Sequence, residues 1–183
     1  MKPLLRFEGV ALRRGGRMLF EDLELALGPG EALQVAGPNG SGKSSLLRLA
    51  AGLLRAERGR VERSSLALAD DNIALDRELP LKRALRFWGG SLEPSMDTLG
   101  IAFLADVPVR LLSSGQLKRA TIARVVASGA PLWLLDEPLN GLDADGARRL
   151  ASLVEEHRAR GGAVLAASHQ PLAGEWPRLE LTA

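Results

Sequence analysis

Eight residues, Gly37-Pro38-Asn39-Gly40-Ser41-Gly42-Lys43-Ser44, constrain this chain more than any other stretch. They close a short apolar run, Ala32–Gly37, and open Lys43–Leu54, where Leu46, Leu47, Ala50, Leu53 and Leu54 recur at helical spacing. A strand must therefore turn sharply into a helix. The glycines permit the turn, and successive backbone N–H groups can then face an anion at the positive end of the helix. Lys43 is placed to reach the β and γ phosphates of a nucleotide, and the Ser44 hydroxyl to ligate Mg²⁺. The pattern G-x-x-x-x-G-K-S/T arises by accident on the order of once in several hundred chains of such composition, and its strand–loop–helix setting makes accident rarer still.

The rest of the chain reads as α/β. Leu4–Leu12 and Leu19–Leu27 alternate as strands about a Gly15-Gly16 turn, and Gly28-Pro29-Gly30 makes a second turn. Val61–Ala69 is expected to add one strand, and Asp70–Leu112 is the least regular part. Ser114–Ser128 reads as a helix opening at a Ser/Gly cap, and Pro131–Asp136 as a buried strand. Asp145–Arg160 is amphipathic: Leu150, Leu153 and Val154 face inward, Arg148, Arg149, Glu155 and Glu156 outward. His157, among charged neighbours, reads as a wet helix residue without a role. Gly161-Gly162 ends that helix and Ala163–Ser168 is the next strand. Strands alternating with helices imply a parallel sheet.

Composition removes several classes. The 183 residues suffice for one domain with its own core, and the absence of cysteine excludes a disulfide framework. Basic residues number 24 against 22 acidic, a mixed surface that argues against a nucleic-acid partner. Gly161–Gly174, the longest stretch without Asp, Glu, Lys or Arg, is too short and too broken by glycine and proline to cross a membrane. Arg6 and Glu8 interrupt any signal-peptide core.

Three further elements carry chemistry. Asp136 ends an apolar strand, where it can hold Mg²⁺ beside a triphosphate, and Glu137 can orient an attacking water or accept its proton. His169 lies 32 positions later, again at the end of an apolar strand, where an imidazole could meet the γ-phosphate or the water. In Leu112-Ser113-Ser114-Gly115-Gln116, Ser113 and Gly115 form an anion-binding surface at a helix N-terminus. That motif draws its weight from its place, 20 positions before Asp136.

In this order the motifs resemble the nucleotide-binding domain of the ATP-binding cassette family over nearly the whole chain. Gly37–Ser44 looks like the Walker A loop, Leu112–Gln116 the signature motif, and Leu132–Asp136 with Glu137 the Walker B strand and catalytic glutamate. Asn140-Gly141-Leu142-Asp143 is similar to the D-loop and His169 to the switch histidine. The resemblance implies an α/β fold spanning residues 1–183 as a single domain. It has a P-loop NTPase core with a mainly parallel sheet, an N-terminal antiparallel β subdomain and a shortened helical subdomain at roughly Ile73–Leu111. It implies ATP and Mg²⁺ as ligands, with Lys43, Glu137 and His169 catalytic and Ser44, Asp136 and Asn72 near the metal. Gly37, Pro38, Asn39, Gly40, Ser41, Gly42, Lys43, Ser44, Ser45 and Arg14 would surround the nucleotide. Ser113, Gly115 and Gln116 of a second copy would complete the site in a head-to-tail dimer. Integral membrane subunits are the implied partners, which places the chain at the cytoplasmic, inner face of the membrane.

Two positions depart from the family pattern. Where an aromatic residue usually stacks on adenine stands Leu12-Arg13-Arg14-Gly15-Gly16, so an arginine stacks or nothing does. A guanidinium flat on a purine is worth ~1 kcal/mol. Where a glutamine usually couples the metal to the membrane subunit stands Asp70-Asp71-Asn72-Ile73, and Asn72 is one methylene shorter. A narrower likeness, carried by Asp106-Val107-Pro108-Val109 and Ser168-His169-Gln170-Pro171-Leu172, points to ATP-binding subunits of cytochrome c biogenesis (heme exporter) systems. Three functional classes remain open: a transporter ATPase, a soluble cassette ATPase acting on nucleic acid or ribosomes, and a nucleotide sensor that does not hydrolyse. The chain has neither the second cassette nor the long insertion typical of the soluble class.

Overall fold

Two strands whose every residue is buried organise the fold: Leu132–Asp136 (β6) and Ala163–Ala167 (β7). Continuous apolar runs of this kind suit a parallel sheet covered on both faces. The computed structural model describes residues 2–182 apart from 71, 73, 91, 171 and 173. Ala32–Ala36 (β3), Leu66–Ala69 (β5) and Arg178–Glu180 (β8) complete a five-stranded sheet in the order β5-β6-β7-β3-β8, with every pairing parallel. Alternation along β6 divides the core. Leu132 and Leu134 pack on one face with the helix Lys43–Ala51 (α1), and Trp133 and Leu135 on the other with Ser114–Ala127 (α4) and Ala144–Ala159 (α5).

A second, antiparallel sheet packs against the α1 face. Its order is β2-β1-β4, from Leu5–Arg14 (β1), Arg17–Leu27 (β2) and Arg58–Arg63 (β4). The single strand expected over Val61–Ala69 is therefore two strands in two different sheets. The Ser64 N–H still pairs with the Leu4 carbonyl at 2.8 Å, and the chain then crosses to begin β5 at Leu66. The crossing falls at the polar run Glu62-Arg63-Ser64-Ser65, where no glycine or proline marks a turn.

Two other expectations need adjusting. The helix predicted over Lys43–Leu54 stops at Ala51, because Gly52 takes a left-handed φ of 79° and its N–H returns to the last turn. The irregular stretch holds Leu81–Arg86 (α2), Leu92–Thr98 (α3) and two single 3-10 turns, Ala102–Leu104 and Val109–Leu111. Buried Leu81, Leu85, Leu99 and Ile101 join these pieces to the α4 side of the core. Two residues of the stretch expected as a helical subdomain, Ile73 and Ser91, lie outside the described residues, as does Asp71. Strand β8 was not anticipated, being only three residues with charged ends. Among the described residues no helix is long and apolar enough to cross a membrane.

His157 corrects the sequence reading outright. It is half-buried, and its ring stacks on Trp133 of β6 with centroids 3.9 Å apart and planes 10° from parallel. Its Nε2 lies 3.2 Å from the Pro131 carbonyl, which precedes β6. Helical spacing places His157 one turn after Leu153, beside the buried stripe, but its charged neighbours concealed this. Burial first of all, with Arg160 adding to it, holds the imidazole pKa below the ordinary value, despite opposing backbone hydrogen bonds at Pro131 and Ala163. Protonation therefore favours the unfolded chain. The stability that His157 contributes is present above the ordinary histidine range and is lost as pH falls through its lowered folded value. Thermal unfolding followed from pH 8 to pH 5 should show a fall in midpoint that is shallower in His157→Phe, which keeps the stack without the titration.

Candidate active site

The parallel register brings the ends of β3, β6 and β7 to one edge of the sheet. Strand β3 runs into Gly37, whose φ of 141° puts a hypothetical Cβ 2.3 Å from the Leu181 carbonyl oxygen. Only glycine can sit there. Ser41 is buried under the loop, and Gly42 caps α1 without offering a side chain, so the first-turn amides remain available to an outside acceptor. Lys43 is also buried. Its Nζ donates to the Gly37 carbonyl at 2.8 Å and to Pro38 at 3.1 Å, tying the loop across its own ends.

This loop forms the floor of a cleft of about 530 Å³. Asn39, Gly40, Gly42, Lys43, Ser44 and Ser45 line it, Arg14 and Leu19 enter from the antiparallel sheet, and Glu137 closes the far side. Arg14 Nη1 is 3.5 Å from Ser45 Oγ, so the guanidinium reaches the loop region. No aromatic residue is among the described residues lining the cleft. Arg14 thus lies beside the loop, and Leu19 is an unforeseen neighbour.

Asp136 ends β6 almost fully buried. Glu137 then adopts a left-handed φ of 43°, which costs a non-glycine residue roughly 1 kcal/mol or more. Two backbone bonds hold it: its N–H donates to the Ala167 carbonyl at 2.8 Å, and its carbonyl accepts from Asn140 at 3.2 Å. The turn directs the carboxylate toward the end of β7, where Glu137 Oε1 lies 3.2 Å from His169 Nε2. The carboxylate is 18% exposed and the imidazole 52%, so the pair stands at the cleft mouth with the glutamate inside.

A second cleft, of about 480 Å³, includes Ser113, Gly115, Gln116, Gly141 and Asp143 in its lining. Ser113 and Gln116 form a reciprocal cap. The Ser113 N–H donates to Gln116 Oε1 at 2.9 Å, and the Gln116 N–H to Ser113 Oγ at 3.3 Å. The spacing Ser-x-x-Gln could have announced that box in advance. Arg119, one turn further along α4, was not foreseen. It donates to Asp143 and Asp145 at the start of α5 and to the Leu99 carbonyl beyond α3, so it clamps three elements. The Gly146 N–H, then Arg119, hold the Asp143 carboxyl below the usual carboxylate range. No spacing rule links residue 119 to residue 143; only the packed structure does.

Asn72 stands apart from both clefts. Its backbone N–H and side-chain amide donate to Asp70, at 3.2 and 3.0 Å, and it lines a third, mostly apolar groove with Leu53, Leu66, Leu68, Trp88 and Arg124. Its sequence neighbours Asp71 and Ile73 lie outside the described residues, as does Pro171, two positions after His169.

A phosphate loop between β3 and α1, an Asp-Glu pair closing β6, a histidine on that glutamate and a capped Ser-Gly helix start define an ATP-binding cassette ATPase. The family model for ABC transporters matches residues 20–140, and the chain belongs to that family. It is 56% identical over 181 residues to the cytochrome c biogenesis ATP-binding export protein CcmA of Sphingopyxis alaskensis, covering 94% of this chain and 93% of the relative. The protein of the same name from Novosphingobium aromaticivorans is 56% identical over 172 residues, covering 91% and 88%. A solved ATP-binding subunit of an ABC transporter superposes with a TM-score of 0.83 over 91% of this chain and 80% of its own; at 24% identity it speaks to the fold alone.

The close approach of α4 to the turn after Glu137 is open to test. A Cβ on Gly115 would fall 2.8 Å from the Gly141 carbonyl oxygen. Gly115→Ala should leave fluorescent-nucleotide binding by the chain close to wild type while phosphate release drops about tenfold or more, since only the start of α4 is displaced.

Proposed function

We propose that this chain is the ATP-hydrolysing subunit of an exporter serving cytochrome c maturation, and that its turnover works a membrane complex that handles heme. The high identity to export proteins named for cytochrome c biogenesis supports the substrate class. The observation that carries the chemistry is the Glu137–His169 pair at the mouth of the phosphate-loop cleft.

In this reading residues 1–183 act as one ATPase domain, with residues 73–111 as an inserted helical subdomain. The first-turn amides of α1 and the Lys43 ammonium hold the β and γ phosphates, with Gly37–Ser45 wrapped around them and Arg14 beside the base. The Ser44 hydroxyl and the Asp136 carboxylate are hard oxygen donors of the kind Mg²⁺ prefers, and they are the residues that would hold it. Bound there, the ion would offset charge on the β and γ phosphates. Glu137 orients a water and takes its proton as the bond from the γ-phosphorus to the bridging oxygen breaks, giving ADP and phosphate. His169 keeps that carboxylate in place and faces the γ-phosphate.

The cleft is open on one side. A second copy, placed head to tail, closes it with the N-terminus of its α4, presenting Ser113, Gly115 and Gln116. Because the cap uses the Ser113 and Gln116 N–H groups, the Ser114 and Gly115 amides at that helix end are the groups that face the phosphates. Membrane subunits are the further partners, which makes the chain peripheral on the inner face of the membrane. Phe87, 84% exposed, with Trp88 and Leu53 beside the apolar groove, offers a surface suited to them. Asn72, within that groove, is the candidate coupling residue, and it would have to give up its bonds to Asp70 to act on the metal.

Glu137→Gln should bind ATP, lose phosphate release by roughly 10²-fold or more, and accumulate as an ATP-bound dimer in analytical ultracentrifugation. Wild-type turnover in that variant would sink the mechanism. With no aromatic platform for the base among the described residues lining the cleft, ATP and GTP should turn over with kcat/KM values within about tenfold of each other. A much larger preference for ATP would show that a specific base contact exists.

A further inference from the structure

Gln34 is an amide buried in the middle of β3, 3% exposed, in a strand otherwise built from Ala, Leu and Val. A buried amide without partners would be strongly destabilising, and three groups meet this one. Nε2 donates to the Ser168 carbonyl at 2.8 Å and to the Gln170 carbonyl at 3.3 Å, while Oε1 accepts from Arg178 Nε at 3.3 Å. The partners fix the orientation of the amide. An arginine can only donate and a carbonyl can only accept, so the nitrogen must face residues 168–170 and the oxygen β8.

Those two carbonyls flank His169. Strand β7 ends at Ala167, and the Ser168 N–H makes a final contact with Val35 at 3.3 Å. Beyond it the chain bends. Ser168 Oγ donates to the Gln170 carbonyl at 2.8 Å and accepts from the Gln170 N–H at 3.2 Å. His169 therefore stands at the apex of a turn held from within by Ser168 and from beneath by Gln34. Its ring is half exposed, with Glu137 as its hydrogen-bond contact, so the backbone on either side decides where the imidazole points.

We propose that Gln34 is a positioning residue for ATP hydrolysis: it fixes both carbonyls beside His169 so that the imidazole stays on Glu137, and through Arg178 it links that position to β8. Gln34 does not line the nucleotide cleft and acts only through the histidine. The proposal rests on the roles given above to Glu137 and His169.

The test uses the full chain and steady-state phosphate release at varied ATP, followed long enough to measure slow residual rates. Gln34→Met keeps the length of the side chain and removes both donor and acceptor. It should lower kcat about tenfold with KM for ATP within about twofold of wild type. Arg178→Ala leaves Gln34 in place and alters only an exposed strand residue, so it guards against a folding failure in the first variant. It should lower kcat about two- to threefold. Both losses should vanish in a His169→Ala background, because the group through which they act is gone. Losses that multiply with that of His169→Ala, or that appear in KM and not in kcat, overturn the proposal. If His169→Ala and Glu137→Gln both turn over at the wild-type rate, the underlying assignment of the site fails, and the proposal with it.

Discussion

The site depends on one ladder of hydrogen bonds, that between β6 and β7. Its register ends at Asp136 opposite Ala167, and the Glu137 N–H extends it by one more bond to the Ala167 carbonyl. That last bond helps to hold a glutamate in a left-handed conformation it would not otherwise favour. It also brings residues just past the two strand ends, Glu137 and His169, to hydrogen-bonding distance. A slip of one residue would exchange the faces of β6, moving Leu132 and Leu134 off the α1 side and carrying the carboxylates away from the phosphate loop. Burial on both faces makes such a slip prohibitively costly. Core packing and catalytic geometry are thus enforced by the same pairing.

Much of this could be read in the sequence, for physical reasons. The phosphate loop needs glycines at fixed intervals and a lysine at a fixed place, so it is a local pattern. Strands β3, β6 and β7 are apolar throughout because both faces are covered, and helices α4 and α5 carry their caps in sequence. What escaped depended on distant partners. The crossing between β4 and β5 lies in a polar run, residues 62–65, that carries no glycine or proline to announce a change of sheet. Strand β8 is only three residues long and exists because β3 has a free edge. His157 sits among charges, yet its ring finds Trp133 across 24 positions of chain. Gln34 did leave a trace, a polar side chain in an apolar strand, but its meaning lies in residues 168, 170 and 178.

The two clefts are tied within one chain before any partner is considered. Arg119 reaches from α4 to the first turn of α5, whose N-cap Asp143 ends the segment that begins at Glu137. Gly115 packs on the same segment at Gly141. A displacement of the capped helix start is therefore carried toward the glutamate through a few rigid contacts. This offers a mechanical route by which closure of a dimer on one cleft is sensed in the other.

The space that a side chain at Gly37 would need is filled from the far end of the chain. Leu181 packs its carbonyl against Gly37, and Arg178 in the same segment reaches Gln34. The final strand thus acts as a wedge under the nucleotide site. A fluorophore, tag or fusion joined immediately after it would not be a neutral handle. It would load the loop mechanically, and, with phosphates bound as proposed, a reporter placed there would register events at them without touching them.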